Sequence, residues 1–250
     1  MKIHSLFYNI AGLLILLALW SLGVTMLSNT IPLAKLLAPI PTFGHLYELL
    51  SNNLLTHHII ASLIRVAVSL ILALLIGIPI GIIIGQSRLL ETMSSGSFQL
   101  LRMISPLSWM PIVVMLFGIG NAPIFFLLTF AAIWPIILST IAGVKSIDPA
   151  WLQLGSSLSA TRYEMLTKII FPAILSPILN GLRLAIGVVW IVLVPCEMLG
   201  VNEGLGYFIL DTRDRLAYSE LMAGILLIGL IGWMLDSIAR SLQRRQTQRS

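Results

Sequence analysis

The chain has 250 residues, 58% of them hydrophobic and only 10% charged, with a net charge of +5 and a mean hydropathy of +0.99. Ordinary soluble domains carry about a quarter charged residues, so the composition excludes that class and points to a membrane protein. No separate basic domain accompanies the positive charge, which argues against nucleic acid, and Cys196 stands alone, which leaves no disulfide framework within one chain.

Apolar runs able to cross a hydrocarbon core of about 30 Å occur near residues 8–27, 66–85, 103–118, 122–142, 178–199 and 221–238. Six spans are therefore predicted, and the fold class is an all-α membrane protein. The first run follows Lys2 but is too long for a signal core and lacks a small-x-small exit, so it reads as a retained span. Residues 28–60, with Pro32, Pro39 and Pro41 and an amphipathic stretch at 46–55, read as an outer extended piece and an interfacial helix. In the second run Gly77, Gly81 and Gly85 recur every fourth residue, a stripe that admits a close neighbour, with packing inside the bundle favoured over a dimer seam. Pro79 is expected to bend that helix. Pro106 and Pro111 interrupt the third run, where a break and a kink are equally compatible with neighbours that satisfy the freed carbonyls.

Six spans place Lys2, Arg88, Arg102, Lys145, Arg162, Lys168, Arg240, Arg244, Arg245 and Arg249 on one side, against Lys35, Arg213 and Arg215 on the other. The asymmetry puts both termini in the cytoplasm, and the basic tail 240–249 against an anionic lipid surface or a partner. From residue 65 onward the loops are short, so residues 1–250 form a single membrane domain with no internal repeat.

Between the fourth and fifth spans, residues 148–172 break into two short amphipathic helices. Asp148 followed by Pro149 opens the first, and Thr161 with Glu164 three residues later forms a capping box that opens the second. Trp151, Leu154 and Leu158 share one face, Met165, Ile169 and Pro172 continue a stripe, and the turn falls at Ser159 and Ala160. An elbow built outside the bilayer is expected to meet a soluble partner, with the apolar face as anchor or packed back on the bundle.

The fifth span carries Arg183 and Glu197, and charges inside a membrane are costly. They lie about 21 Å apart along one helix and cannot pair there. Arg183 is expected to snorkel to the interface. Glu197, beside Pro195, either borders a water-filled path or caps a neighbouring backbone group. Cys196 reads as a small core residue. His4, His45, His57 and His58 lack metal-ligand spacing and read as loop histidines. Gly143, Lys145 and Ser146 lack the spacing of a phosphate-binding loop, and no nucleophile elbow is present, so the chain is not read as an enzyme. Asp211 to Arg215 reads as a solvated outer loop.

The elbow resembles the cytoplasmic loop of ABC-importer permeases, whose signature runs Glu-Ala-Ala, then Gly, then Ile-x-Leu-Pro. Ile169, Phe171 and Pro172 match its tail, Ser159 stands at its Gly, and Gln153, Leu154 and Gly155 stand at its Glu-Ala-Ala. Further motifs in the same order are similar to the nitrate/sulfonate/bicarbonate/taurine branch. They are Pro106 to Pro111, Phe117 to Gly120, Trp134 to Ile136, Gly143 to Asp148, Gly181 to Gly187, Glu197 to Leu199 and Gly204 to Tyr207, and the likeness covers about residues 65–240.

The resemblance implies six transmembrane helices with a cytoplasmic coupling helix-turn-helix, in a permease that works as a homodimer in the bacterial inner membrane. It further implies two cytoplasmic ATPase subunits, which bind the ATP and Mg, and an extracytoplasmic solute-binding protein; this chain holds no cofactor. The ATPase-coupling residues it implies are Trp151, Gln153, Leu154, Gly155, Leu158, Ser159, Ala160 and Thr161. A path between two copies would be lined by Ser105, Ser108, Trp109, Asn121, Trp134 and Glu197, polar or amphipathic residues in apolar company that are equally compatible with packing or helix-end roles. The branch implies a small oxyanion such as nitrate, bicarbonate or an organic sulfonate as cargo, with a heterocyclic vitamin precursor as the alternative. A stand-alone secondary transporter or channel is the competing class; it predicts duplicated halves with broken helices, which the sequence does not show.

Overall fold

The computed structural model describes residues 2–247, all helix and turn with no strand among the described residues. The side chains of Lys2, His4, Arg244, Arg245 and Arg249, invoked above for charge balance and spacing, lie outside the described residues. Apolar sequence favours helix wherever it must cross hydrocarbon, because only there are all backbone groups satisfied within one segment.

The elements are α1 (Lys2–Ser28), a 3₁₀ turn (Pro32–Leu37), α2 (Pro39–Ser51), α3 (Thr56–Gly85), α4 (Arg88–Met103), a second 3₁₀ turn (Pro106–Trp109), α5 (Met110–Phe117) and α6 (Asn121–Lys145). Then follow α7 (Pro149–Ser157), α8 (Arg162–Glu164), a π-helical turn (Met165–Ile170), α9 (Phe171–Met198), α10 (Leu205–Asp214) and α11 (Tyr218–Thr247). Five helices are long and apolar enough to span, and α4 with α5 makes a sixth only as a pair bent by 84°. The third expected span is therefore broken rather than kinked. Ile104 and Ser105 leave the helix, Pro106 opens a tight turn, and α5 is only about 12 Å long.

α6 is the centre of the bundle. On one side the glycine stripe of α3 lies against it: a Cβ on Gly77, Gly81 or Gly85 would come within 2.9, 2.6 and 2.8 Å of Ile136, Thr140 and Val144. On the other, Gly143 meets Pro177 and Gly181 meets Ser139, both at similar range. Three helices thus approach backbone to backbone, which supplies the dispersion contact that drives association where lipid is as apolar as the side chains. The stripe serves packing inside the bundle, and α3 runs on through Pro79. Val66, Ala73, Val113, Ile124, Leu127, Ile136, Val189 and Leu193 fill the core, with Cys196 among them as expected.

α11 packs on α9, where Trp190 Nε1 donates to the Ile228 carbonyl at 3.1 Å. α1 stays outside this core and is tied to the 3₁₀ turn by Trp20 Nε1 donating to the Leu37 carbonyl at 3.0 Å. The bundle has two ends. Gly85, Lys145 and Arg162 mark the elbow end, and Thr56, Asn121, Met198 and Tyr218 mark the far end.

Candidate functional site

The elbow is built from strictly local rules. Pro149 occupies the first position of α7 and the Asp148 carboxylate accepts from the Ala150 N–H at 2.8 Å. The helix closes in a Schellman motif: the Ser159 N–H donates to the Ser156 carbonyl and the Ala160 N–H to the Gly155 carbonyl, both at 3.0 Å. Ser159 takes the left-handed φ of +55° that the motif requires, the conformation in which Gly is the cheaper residue. Thr161 then starts α8. The Glu164 N–H donates to Thr161 Oγ1 at 3.3 Å and the Thr161 N–H donates to the Glu164 carboxylate at 3.0 Å, closing the capping box.

Gly155 is buried because α7 presses there on the next helix; a Cβ would meet Met165 and Ile169 at 2.7 Å. Leu152 packs back on the cluster of Val144, Ile170 and Ile174, but the expected anchor residues do not. Trp151, Leu154 and Leu158 are 60%, 49% and 74% exposed and edge a groove of about 290 Å³ shared with Lys168 and Ile169. Gln153, Ser159 and Thr161 are exposed beside them, and Ala160 is half-buried. At the same end Lys145 pairs with Glu91 at 2.8 Å. Arg183 does more than snorkel: its Nε donates to Asp236 of α11 at 3.1 Å, a carboxylate it shares with Arg240.

The far end holds a second constellation, one that the sequence reading passed over. Arg65 is only 2% exposed and Glu197 fully buried, and Arg65 Nη1 donates to Glu197 at 2.7 Å. Arg65 also donates from Nε to Asn121 Oδ1 at 2.8 Å, from Nη1 to the Glu203 carbonyl at 2.8 Å and from Nη2 to the Glu203 carboxylate at 3.2 Å. Ser62 Oγ donates to Glu197 at 2.8 Å. The outer Glu203 oxygen meets His57 Nε2 at 2.7 Å.

Three successive N–H groups at the start of α10 end in this knot. Gly204 donates to His58 Nδ1 at 3.1 Å, Leu205 to Ser62 Oγ at 2.8 Å and Gly206 to Glu197 at 2.9 Å. These are the orphan donors of a helix terminus, and a carboxylate there also meets the positive end of the helix dipole. Gly204 has φ +113°, and a Cβ on it would sit 2.5 Å from both Arg65 and Glu197. The signal for Arg65 was present in the sequence: a basic residue at the very edge of an apolar run needs a partner once its helix is buried there.

The residues expected to line a path fall into two groups. Ser105 and Ser108 are exposed at the break between α4 and α5. Trp109 and Trp134 flank Phe130 at ring separations of 5.9 and 5.5 Å, and both indole N–H groups are buried without a partner among the described residues. Asn121 and Glu197 belong instead to the knot. Glu197 presents no surface to a path in this conformation because its oxygens are taken by Ser62, Arg65 and Gly206; of the two roles open to it, capping is the one occupied. His57 and His58 lie in the first turn of α3 and are knot partners rather than loop residues. No group of three or more metal-ligating side chains occurs among the described residues. Asp211, Arg213, Asp214 and Arg215 close α10 as exposed ion pairs.

Residues 77–250 match the family described as "Binding-protein-dependent transport system inner membrane component". The chain is 37% identical over 193 residues to the taurine transport system permease protein TauC of Escherichia coli (strain K12), covering 77% of this chain and 70% of that protein. It is 33% identical over 256 residues to the bicarbonate transport system permease protein CmpB of Synechococcus elongatus, covering 97% and 90%. Over 187 residues it is 36% identical to the nitrate import permease protein NrtB of Leptolyngbya laminosa, covering 75% and 67%. A solved inward facing structure of the MetNI methionine ABC transporter shares the fold, with a TM-score of 0.63 at 18% identity over 74% of this chain and 92% of that one. From the glycine stripe of α3 onward sequence and fold agree, and this chain belongs to the family of binding-protein-dependent transport inner membrane components, the permease subunits of ABC importers.

Proposed function

We propose that this permease works as a homodimer, with a cytoplasmic ATPase gripping each elbow and a solute-binding protein delivering cargo to the far end. ATP and Mg are bound by the ATPases. Both termini then lie in the cytoplasm with the elbow, in keeping with the charge asymmetry of the loops. The single observation that carries the reading is the elbow itself: a capped, rigid turn that leaves Trp151, Leu154 and Leu158 uncovered. Large apolar side chains on a water-facing helix are anchors for a partner groove, and the Schellman turn with its capping box holds α7 and α9 as one lever. Closure of the ATPases on that lever re-aims α9 and, through Gly143 and Gly181, α6. Cargo passes between the two copies along Ser105, Ser108, Trp109 and Trp134.

For cargo we propose a small oxyanion. The relatives named above are described as taurine, bicarbonate and nitrate permeases, which favours this class over a heterocyclic vitamin precursor.

The test is a Trp151→Glu/Leu158→Glu double variant. Membrane insertion is expected to persist while ATPase co-purification in mild detergent and uptake both fall at least tenfold. Unchanged uptake would count against the elbow as the coupling site. Titrating the associated binding protein with nitrate, bicarbonate and taurine identifies the cargo.

A further inference from the structure

We infer that Glu203 is the outer handle of a latch that seats α10, and that a cationic side chain of the soluble partner at the far end works it. The inference rests on the importer reading above. The knot has an inner and an outer half. Arg65, Glu197 and Ser62 are sealed from water, whereas the Glu203 side chain is 37% exposed. Its carboxylate bridges His57 at 2.7 Å and Arg65 at a longer 3.2 Å, and its carbonyl takes a further Arg65 bond. Water and a competing cation therefore reach the outer bonds but not the inner ones.

Movement of Glu203 cannot be absorbed by the chain that follows. Gly204 is wedged between Arg65 and Glu197, and the N–H groups of residues 204, 205 and 206 are each held by a different side chain. Displacing Glu203 thus strips two bonds from Arg65 and shifts the start of α10. α10 in turn seats Leu205 and Phe208 in an apolar cluster with Leu49, Leu55, Ala223 and Leu227. That one short helix braces α2, α3, α9 and α11 at the far end, and its release lets those helices part.

The charge of the far end selects the operator. Glu48, Glu203, Asp211, Asp214 and Glu220 outnumber Lys35, Arg213 and Arg215 among the described residues there, so the face attracts a basic surface and repels an acidic one. An Arg or Lys of the partner paired with Glu203 replaces Arg65 as its counter-ion and opens the latch as it docks.

The experiment uses the full transporter in lipid nanodiscs, with its binding protein as the probe. Two readouts are taken for Glu203→Gln: ATP hydrolysis without and with the binding protein, and amide hydrogen exchange in residues 204–210. Loss of one charge-assisted hydrogen bond shifts a two-state equilibrium about tenfold. Exchange is expected to quicken by about that factor, basal hydrolysis to rise and the stimulated-to-basal ratio to fall. Glu48→Gln removes a carboxylate from the same face without touching the knot, so it is expected to leave exchange in residues 204–210 unchanged and to lower the ratio by less than Glu203→Gln does. Wild-type exchange in Glu203→Gln would overturn the latch. So would faster exchange with an unaltered ratio, which is what a merely structural brace gives, or an equal drop in ratio for Glu48→Gln. If the wild-type complex hydrolyses no ATP, the importer reading fails by itself, and exchange still reports on the latch.

Discussion

The elbow and the far-end knot both hold a short helix against the bundle, and they do so by opposite means. In the elbow every stabilising hydrogen bond joins residues no more than five apart, and Trp151, Leu154 and Leu158 stand uncovered. In the knot, α3 reaches α9 and α10 across 132 to 146 residues of chain, and the charges point inward. The solvent at each place explains the difference. Water and a soluble partner can satisfy whatever the elbow leaves open, so caps suffice. Behind α10 the side chains of Ser62, Arg65 and Glu197 are sealed from solvent, and each N–H at its start must find a side chain brought from another helix.

That contrast predicts how each region breaks. The largest effect is expected at the knot: Arg65→Met leaves Glu197 buried without a counter-ion, which costs about 3–5 kcal/mol. Thermal unfolding in detergent should show the loss, and the Arg65→Met/Glu197→Leu pair should restore most of it, because replacing both ions by apolar groups removes the desolvation penalty. Failure of the double variant to recover would mean that the remaining partners, Ser62, Asn121 and the start of α10, matter more than the ion pair.

A smaller and strictly local effect is expected at the elbow. Thr161→Ala removes the side-chain half of the capping box, and exchange of the first amides of α8 should quicken about fivefold while global unfolding stays put. A shift of the whole unfolding curve would show that the elbow is not the independent unit described here. The smallest effect carries the opposite sign. Ser159→Gly relieves a residue held at φ +55° and should stabilise the turn by about 0.5–1 kcal/mol, read as slower exchange at Ser159 and Ala160 with ATPase co-purification retained.

The same contrast separates what could be read from residues in order from what could not. Apolar runs located the spans, because membrane thickness sets their length. Asp148, Pro149, Thr161 and Glu164 located the elbow, because a cap is a bargain between near neighbours in the chain. The prolines at 106 and 111 located the interruption in the third run, although only the structure showed it to be a break of 84°. Glu197 stood out as a charge in a span, but whether it faced a path or a backbone was open, and Arg65 went unmarked at the edge of its run.

Composition and local order were enough to determine the class of protein, the positions of its helices and the turn it offers to a partner, since each depends on forces acting within a few residues. Only the docking of α3 on α6 and of α6 on α9, through Gly77, Gly81, Gly85, Gly143 and Gly181, decided which charges meet. A pairing across more than a hundred residues exists only once the helices carrying it have packed.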